Sequence, residues 1–432
     1  MPTDADPIEA RRGLRRVAAR GHKLDSETST VTSISIAQVS HGDTGKPPPC
    51  RRENLHAYNQ KLCKKSRRRR EIRLGLRLNF DSTGVLKLAL TPLAALAMAL
   101  LGAALAWLLT GLMRRYALSA QLLDTPNDRS MHTVPTPRGG GVAIVVSFAA
   151  LAIVLHHWGS MPPGLLPALL GGGGLVALVG FIDDQRPLKA RWRFMAHSVS
   201  AAWLLWLMKG IPPVPMLGLS IDLGWFGVAL AAVYIVWMVN LCNFMDGIDG
   251  IASVEAITAA LGGALCWWLA TGTPHWAVPV VFAGCVAGFL AWNYPPAKIF
   301  MGDAGSGFLG LVLSLFSLWT AQQVPQVFWC WFILFGCFMA DATTTLIRRV
   351  RRGERFSVAH RSHAFQYASR KLGSHKAVTQ AVGAINLLWL LPLALLVATG
   401  RVDGLLGSIV AYAPLVWIAF RYKAGDRAAQ EV

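Results

Sequence analysis

Long apolar runs separated by short polar loops occupy most of the chain from Val85 onward. Most of these runs are long enough to cross about 30 Å of hydrocarbon as a helix, which takes about 20 residues. The pattern predicts an all-α protein, a polytopic membrane helix bundle with about eleven transmembrane helices. The predicted spans lie near residues 85–112, 139–157, 164–182, 192–209, 224–241, 249–271, 275–293, 306–321, 327–347, 377–398 and 404–420.

Residues 1–84 lack this pattern. They are polar and rich in arginine, with the run KKSRRRREIR at 64–73, and such a composition cannot bury a core. We expect a disordered basic extension over 1–84, a transmembrane domain over 85–421 and a cytoplasmic tail over 422–432. A tail that binds nucleic acid or anionic lipid is the alternative; a solvated extension, or a translation start placed too far upstream, is the favoured interpretation.

The composition excludes an ordinary soluble domain, because 53% of the 432 residues are hydrophobic and only 15% are charged. A net charge of +19 would favour a nucleic-acid partner if it covered a folded surface, but 18 of the 42 Lys and Arg lie within residues 1–80. We therefore expect no nucleic-acid partner. The seven cysteines contain no CxxC pair, so no disulfide framework is indicated.

The remaining basic residues divide between alternate loops. Loops after the odd-numbered predicted spans, with the C-terminal tail, carry 21 Lys and Arg, whereas the opposite loops carry Lys209 and Arg401. The positive-inside rule assigns the first set to the cytoplasm. The basic extension then falls on the other side, in conflict with the rule; long segments obey it poorly, and a false start or a miscounted span would also remove the conflict.

The stretch 291–309, AWNYPPAKIFMGDAGSGFL, places a polar loop between two apolar runs, so it must lie at the membrane surface. Its glycines let the backbone close around a charged group. Asp303 offers hard oxygen to a divalent cation, Lys298 can meet an anion, and Phe300 presents a flat apolar face. The loop suits chemistry on phosphates; a plain connecting turn is the alternative.

Two acidic motifs fall on the same side of the membrane. Span 3 ends in Asp183 and Asp184, which are costly to bury without a nearby cation or a solvated mouth. Span 5 ends in NLCNFMDGIDG, where Asn243, Asp246 and Asp249 stand three residues apart and would share a helix face. The glycines suggest that the helix frays there, and in either case three oxygen-bearing side chains converge. A solvated helix end is the alternative for the first motif, and a structural role for the second.

Two basic loops complete this side. In the loop 122–141, Arg129, His132 and Arg138 could meet phosphate oxygens, while the run of three glycines at its end permits close helix packing. The alternative is ordinary juxtamembrane charge.

The loop 348–376 holds His360, Arg361 and His363 among many arginines. Such a cluster would attract a polyanion such as a nucleotide diphosphate, although positive-inside charge alone would also explain it. Asp341 lies inside span 9, and an intramembrane carboxylate is a functional candidate by default.

These motifs, FIDD, NFMDGIDG, NYPPAKIFMGDAGS and the basic histidine loop, occur in an order that resembles one family. It is the polyprenyl-phosphate N-acetylhexosamine-1-phosphate transferases (glycosyltransferase family 4), which include the WecA-type O-antigen initiators and MraY of peptidoglycan synthesis. The resemblance implies transfer of a sugar 1-phosphate from a UDP-N-acetylhexosamine to undecaprenyl phosphate, with release of UMP. It implies Mg²⁺, with Mn²⁺ as a substitute, and a site on the cytoplasmic face of the bacterial inner membrane, among membrane lipids. A homodimer is compatible with it.

The resemblance also assigns roles to individual residues. Asp303 and Asn243 would bind the metal, Phe300 would stack on uracil, and Asp249 would hydrogen-bond the uracil edge. A phosphate monoester is largely ionised at pH 7, with a second pKa of about 6, so the acidic pair serves positioning more than proton abstraction. The expected catalytic residues are Asp183, Asp184, Asp246, His360 and His363, and the expected substrate-binding residues are Asp249, Phe300, Lys298, Arg361 and Arg138.

Two motifs depart from MraY: HRSHAFQ lacks its three-histidine run, and HTVPTPRGGG differs from its PTMGG pattern. Both departures favour the O-antigen enzymes that handle N-acetylglucosamine, N-acetylfucosamine or N-acetylquinovosamine. A phospho-MurNAc-pentapeptide transferase is the alternative within the family. From other classes, an ion-coupled transporter would place carboxylates near mid-membrane in repeated halves, and a basic-tailed membrane anchor for nucleic acid would explain only residues 1–84.

Overall fold

The computed structural model of the protein describes residues 76–80, 86–126, 131, 134–354 and 360–426, and helices dominate these ranges. In chain order the helices are α1 Pro92–Ser119, α2 Val142–His157, α3 Leu165–Gln185, α4 Ala190–Met208, α5 Gly224–Met245, α6 Ile251–Thr271, α7 Ala277–Asn293, α8 Asp303–Gln323, α9 Val327–Leu334, α10 Gly336–Arg351, α11 Ala364–Leu372, α12 His375–Ala398 and α13 Gly404–Arg421. Single π turns interrupt α3 at Leu169–Gly173 and α12 at Asn386–Leu390.

Three antiparallel two-stranded ribbons accompany the helices in these ranges. The strand pairs are β1 Leu76–Phe80 with β2 Leu86–Leu90, β3 Leu123–Asp124 with β4 Thr136–Pro137, and β5 Val214–Met216 with β6 Leu219–Ile221. In the second ribbon Leu123 faces Pro137 and Asp124 faces Thr136. Both strands of this ribbon lie between the C-terminal end of α1 and the start of α2.

The predicted fold class is confirmed. Within the described ranges eight helices are long and apolar enough to cross a membrane, and α9 with α10 forms a ninth candidate with a 68° bend between its two halves. The other two predicted spans correspond to α2, which has 16 residues, and to α4, whose first turn carries Arg191 and Arg193. The protein is a multi-pass helical membrane protein.

The start of the first span differs from the prediction. Strand β2 ends at Leu90 and α1 begins at Pro92, after Thr91, whose side chain accepts the N–H of Ala94 at 3.2 Å. Proline suits a first helical position because the N–H that it lacks would have no partner inside the helix. The predicted disorder is wrong for residues 76–80, which form β1. The other parts of the predicted extension and tail that lie outside the described ranges are residues 1–75, 81–84 and 427–432.

Helix α8 forms the centre of the bundle. All residues in the most apolar 18-residue stretch of α8 are buried, compared with 33% of that stretch in α1. Helix α8 is surrounded by other helices, whereas α1 lies at the periphery. Glycine allows the close contacts: a Cβ on Gly310 of α8 would lie 2.2 Å from Met238 O of α5. A Cβ on Gly288 of α7 would lie 2.1 Å from Ala103 O of α1. The first of these contacts packs α8 directly against α5, and the N-terminal end of α8 carries the site.

The two ends of the bundle differ in character. Helices α3 and α5 end near the start of α8, and the loop that leads into α8 follows α7. The β5–β6 ribbon precedes α5 and therefore lies at the opposite end, where Asp403 Oδ2 accepts the N–H of Leu217 at 2.8 Å. The predicted polar motifs thus share one end.

Candidate active site

A polar cavity of about 410 Å³ lies where these helix ends and loops meet. It is bordered by residues far apart in the chain, from the β3–β4 ribbon to the start of α12. Among the predicted site residues it is lined by Arg138, Asp184, Asn243, Asp246, Asp249, Phe300, Asp303 and His360.

Backbone hydrogen bonds hold the loop that carries Phe300 against the segment before α2. The Phe300 N–H donates to Pro137 O at 2.8 Å, and the Phe300 carbonyl accepts the N–H of Gly140 at 2.9 Å. A Cβ on Gly141 would lie 2.3 Å from Gly305 Cα, so only glycine permits this approach. The close packing predicted for the glycine run is confirmed.

Asp184 caps the N-terminus of α8 from a neighbouring helix. Its Oδ1 and Oδ2 accept the backbone N–H groups of Asp303 at 3.0 Å and Ala304 at 3.2 Å. The first N–H groups of a helix lack partners within it and carry partial positive charge, so a carboxylate is a favourable acceptor there. Gly302 leaves the space, since a Cβ on it would lie 2.5 Å from Asp184 Oδ2. Asp184 therefore fixes the backbone position of Asp303.

Arg193, near the start of α4, connects the other member of the acidic pair to α8. Its Nη1 lies 2.9 Å from Asp183 Oδ2 and 3.3 Å from Asp303 Oδ2. Asp183 Oδ1 accepts the N–H of Leu188 in the turn before α4. Asp183 does not line the cavity. It orients the arginine that reaches Asp303.

Arg138 stabilises the end of α3. Its Nη2 donates to the main-chain carbonyl of Asp184 and lies 3.5 Å from that of Asp183. The last carbonyls of a helix have no partner within it, and an arginine satisfies them with a favourable charge. Arg138 thus supports the acidic pair and also borders the cavity.

The C-terminal end of α5 supplies an amide and a carboxyl group. Asn243 Nδ2 donates to Ser306 Oγ of α8 at 3.2 Å. Helix α5 ends at Met245, so Asp246 lies in the turn that follows, which confirms that the helix stops within the motif. Burial and the nearby carboxylates of Asp303, Asp184 and Asp249 raise the pKa of Asp246 to about 8. A cation would relieve this concentration of negative charge.

Asp249 is held from two sides. Its Oδ2 accepts the N–H of Ala297 at 2.9 Å, and its Oδ1 lies 3.2 Å from Nδ1 of His375, the first residue of α12. Its main-chain carbonyl accepts the hydroxyl of Thr379 at 2.8 Å. The carboxylate is therefore fixed at the wall of the cavity.

Asp341, the predicted intramembrane candidate, anchors the start of α11. It accepts the N–H groups of Ala364 at 2.9 Å and Phe365 at 3.0 Å, and its Oδ1 lies 3.3 Å from His363 Nδ1. His363 is only 4% exposed. These contacts give Asp341 and His363 a positioning role in the histidine loop.

His360 stacks on His363, with ring centroids 4.9 Å apart. Burial, with smaller contributions from the charges of His363 and Arg349, lowers the pKa of His360 to about 3. The imidazole is therefore neutral at pH 7 and can donate one hydrogen bond and accept another.

A second cavity of about 340 Å³ adjoins the first between α3, α4 and α5. Apolar side chains form much of its wall, and two of them, Phe194 and Phe244, are 62% and 45% exposed at the surface of the bundle. Both cavities are lined by Asn243, Asp303 and His360. These three residues stand where the two spaces adjoin.

Two predicted substrate-binding side chains do not line either cavity. Lys298 is exposed, and its Nζ lies 5.7 Å from the ring centroid of Trp292. The main-chain carbonyl of Arg361 accepts Nη2 of Arg370 at 3.3 Å. Substrate binding by Lys298 and Arg361 stays a prediction.

Sequence reasoning missed several residues of the site. Arg193 was counted only as a cation of a cytoplasmic loop, and Asp124, Gln366 and His375 were not singled out although all three line the polar cavity. Arg193 follows its partner Asp183 by ten residues across a turn, and no local periodicity connects them. Their proximity comes from the packing of separate helices.

The oxygen atoms of Asp303 and Asn243 fit a Mg²⁺ ion whose coordination shell is completed by substrate phosphates. In the part of the chain that the structure describes, no group of three or more His, Cys, Asp or Glu could hold a metal ion by itself. Mg²⁺ typically uses one or two carboxylates and completes its shell with water and substrate phosphates. Asp303, with Asn243 beside its carboxylate, supplies such a partial set.

Comparison with known proteins agrees with this site. The model of the family described as glycosyl transferase family 4 matches residues 166–321, which include the acidic pair, the end of α5 and the start of α8. A probable undecaprenyl-phosphate N-acetylglucosaminyl 1-phosphate transferase of Bacillus subtilis is 29% identical, over 59% of this chain and 72% of the relative.

Two further relatives reach higher identity. The decaprenyl-phosphate N-acetylglucosaminephosphotransferase of Mycobacterium leprae is 30% identical, over 61% of this chain and 74% of its own length. The phospho-N-acetylmuramoyl-pentapeptide-transferase of Moorella thermoacetica is 32% identical, over 50% of this chain and 69% of its own length. The chain therefore belongs to glycosyl transferase family 4, the membrane-bound phosphosugar transferases that act as polyprenyl-phosphate N-acetylhexosamine-1-phosphate transferases.

Proposed function

We propose that the protein transfers an N-acetylhexosamine 1-phosphate from a UDP-sugar to undecaprenyl phosphate, releases UMP and thereby initiates a surface polysaccharide such as O-antigen. The observation that carries the proposal is the meeting of a polar cavity and an apolar-walled cavity at Asn243, Asp303 and His360. A water-soluble nucleotide and a lipid phosphate can react only where two such spaces adjoin. The names of two relatives, one with undecaprenyl phosphate and one with decaprenyl phosphate, support a polyprenyl phosphate as the acceptor.

The polar cavity is the proposed nucleotide site. Its volume of about 410 Å³ lies within the usual range for small-molecule pockets. Phe300 offers a ring on which uracil can stack, and the Asp249 carboxylate can accept the N–H of the uracil edge. The pyrophosphate would then extend toward Asp303 and Asn243, which line the same cavity.

The apolar-walled cavity is the proposed entry for the lipid acceptor. Its valine and phenylalanine side chains suit a prenyl chain, and Arg193, which also lines it, could bind a phosphate. The exposed Phe194 and Phe244 mark the side from which a lipid would enter from the bilayer.

We further propose that Asp303 and Asn243 hold Mg²⁺, for which Mn²⁺ can substitute. When bound, the metal screens the attacking phosphate from the pyrophosphate and polarises the bond that breaks. Asp184 holds the start of α8 in place, and Asp183 directs Arg193 to the same point. Neutral His360 can donate a hydrogen bond to a phosphate oxygen. No residue needs to act as a strong base, since the acceptor phosphate is largely ionised at pH 7.

The site is proposed to face the cytoplasm of a bacterial inner membrane. The loops at the site end of the bundle carry most of the basic residues outside the N-terminal extension, and the positive-inside rule places such loops in the cytoplasm. The departures from MraY in the histidine loop and the glycine-rich loop favour N-acetylglucosamine, N-acetylfucosamine or N-acetylquinovosamine as the sugar.

The decisive test is UMP release by the purified protein in lipid nanodiscs with undecaprenyl phosphate and Mg²⁺. The donors are UDP-N-acetylglucosamine, UDP-N-acetylfucosamine, UDP-N-acetylquinovosamine and UDP-N-acetylmuramoyl-pentapeptide. We expect release with one of the first three. Release with the pentapeptide donor alone would show a peptidoglycan enzyme, and no release with any donor would refute the proposed reaction.

Variants test the metal site in the same assay. Asp303→Asn and Asn243→Ala should abolish Mg²⁺-dependent release. Asp222→Asn, at an exposed position before α5 at the opposite end of the bundle, should retain it. Full activity of both site variants would refute the metal assignment.

A further inference from the structure

His375, the first residue of α12, contacts two other parts of the chain through its ring. Its Nδ1 lies 3.2 Å from Asp249 Oδ1, and its Nε2 lies 3.1 Å from the main-chain carbonyl of Met131. His375 and both of these partners line the polar cavity. The predicted site residues do not include it, although it lies within the basic loop 348–376.

Both partners of the ring are hydrogen-bond acceptors. A neutral imidazole has one N–H and can satisfy only one of them, whereas the imidazolium form donates to both. The contact with Asp249 joins the ring to a carboxylate, and both side chains are mostly buried, at 20% and 12% exposed.

Helix α12 holds Asp249 at a second point. One turn after His375, the hydroxyl of Thr379 donates to the main-chain carbonyl of Asp249 at 2.8 Å. The Ala297 N–H occupies the other carboxylate oxygen from the opposite side, in the loop that carries Phe300. His375 therefore sets the plane of a carboxylate whose backbone and second oxygen are already fixed.

We propose that His375 is a positioning residue for the nucleobase end of the UDP-sugar. It orients the Asp249 carboxylate, which lines the cavity, for contact with the nucleobase N–H. This inference rests on the proposed function. It gives His375 a role in binding the UDP-sugar, and no role in the chemical step or in binding the lipid acceptor.

Two amide replacements separate the two contacts of the ring. The amide of asparagine can place an N–H near the position of Nδ1 and so retain the contact with Asp249, whereas glutamine reaches the position of Nε2 and retains only the contact with Met131. His375→Ala removes both contacts. Lys376→Gln, at the next and exposed position of α12, is the matched control.

The KM values for the UDP-sugar and for undecaprenyl phosphate and the kcat are measured for each variant. His375→Ala and His375→Gln should raise the UDP-sugar KM about tenfold, the size expected for a lost hydrogen bond to a charged group, and leave kcat within about threefold. His375→Asn should stay close to wild type. The KM for undecaprenyl phosphate should not change in any variant, and Lys376→Gln should match wild type throughout.

A double-mutant cycle supplies an independent readout. Asp249→Asn should itself raise the UDP-sugar KM, and adding His375→Ala to it should cause little further change, because the histidine acts through that carboxylate. Full additivity, equal losses in the asparagine and glutamine variants, or a fall in kcat with unchanged KM would overturn the assignment. Absence of UMP release by the wild-type protein would instead refute the proposed function. If His375→Ala does not fold, the asparagine and glutamine pair decides the question.

Discussion

The carboxylate of Asp184 accepts the backbone N–H of Asp303 at 3.0 Å, and this contact ties the end of α3 to the start of α8. The position of the proposed metal-binding carboxylate therefore depends on a second carboxylate that need not touch the substrate. The acidic pair at the end of α3 serves two different tasks, since Asp184 holds the backbone of α8 and Asp183 holds Arg193.

Asp184→Ala should reduce UMP release at saturating substrates by about 100-fold or more, because two N–H groups lose a charged acceptor whose hydrogen bonds contribute about 1.5–3 kcal/mol each. Asp184→Asn keeps one acceptor oxygen and should lie between Ala and wild type. Initial rates of UMP release in nanodiscs rank wild type, Asp184→Asn and Asp184→Ala. A wild-type rate for Asp184→Ala would show that the contact has no functional role.

Gly180→Ala should disturb the same junction from the side of α3. The added Cβ would lie 2.5 Å from the backbone of Asp303 and Ala304, too close for any real contact, so the start of α8 must shift. We expect a lower Tm and at least about a tenfold loss of activity, equivalent to about 1.4 kcal/mol. Gly174→Ala on the same helix meets nothing within 4 Å and should leave both quantities unchanged. Equal behaviour of the two variants would contradict the packing described here.

Arg193→Gln should lower kcat and at the same time strengthen Mg²⁺ binding. The guanidinium lies 3.3 Å from Asp303 Oδ2 and competes for the carboxylate that the metal would use. Its loss removes a cation from the reaction site and removes that competition. We expect a kcat loss of about 100-fold, in the range of other electrostatic groups at active sites, with a lower apparent KM for Mg²⁺.

The control for this variant is Arg191→Gln. Arg191 is an exposed cation on the same helix, and its guanidinium lies 5.4 Å from the ring centroid of Trp192. Its replacement should leave kcat and the Mg²⁺ dependence close to wild type. A rise in the Mg²⁺ KM of Arg193→Gln would argue against competition at Asp303.

The affinity for Mg²⁺ should rise with pH up to about 8. Burial and three neighbouring carboxylates raise the pKa of Asp246 to about 8, so below that pH the metal-free protein carries the protonated form. A divalent cation favours the ionised form, so its binding releases a proton. For one such proton the apparent affinity should increase by up to about tenfold per pH unit below the pKa and level off above it.

The measurement is the Mg²⁺ concentration for half-maximal UMP release between pH 6 and 9, in wild type and Asp246→Asn. The variant cannot ionise at this position, so its curve should be flatter over the same range. Identical slopes would show that Asp246 does not take part in the linkage.

Several features followed from the sequence for a local physical reason. A chain in lipid must satisfy its backbone hydrogen bonds within each segment, so a long apolar run alone predicts a helix. That reasoning placed the start of the first span several residues before Pro92. The separate prediction of disorder from composition was wrong at residues 76–80, where a strand forms. The kind of chemistry at the loop around Phe300 and Asp303 could also be inferred from the sequence, because oxygen ligands and flexible backbone depend on which residue types are present.

The partners of each side chain were decided only by the tertiary structure. Asp184 meets Asp303 across 119 residues of chain, and Met131 meets His375 across 244, with no pattern of spacing that links either pair. Hydropathy and periodicity describe one helix at a time, whereas contacts between helices depend on how closely glycines such as Gly180 and Gly310 let them approach. The sequence by itself therefore determined the membrane helices and the kind of chemistry, and the packing of those helices decided which carboxylate supports which.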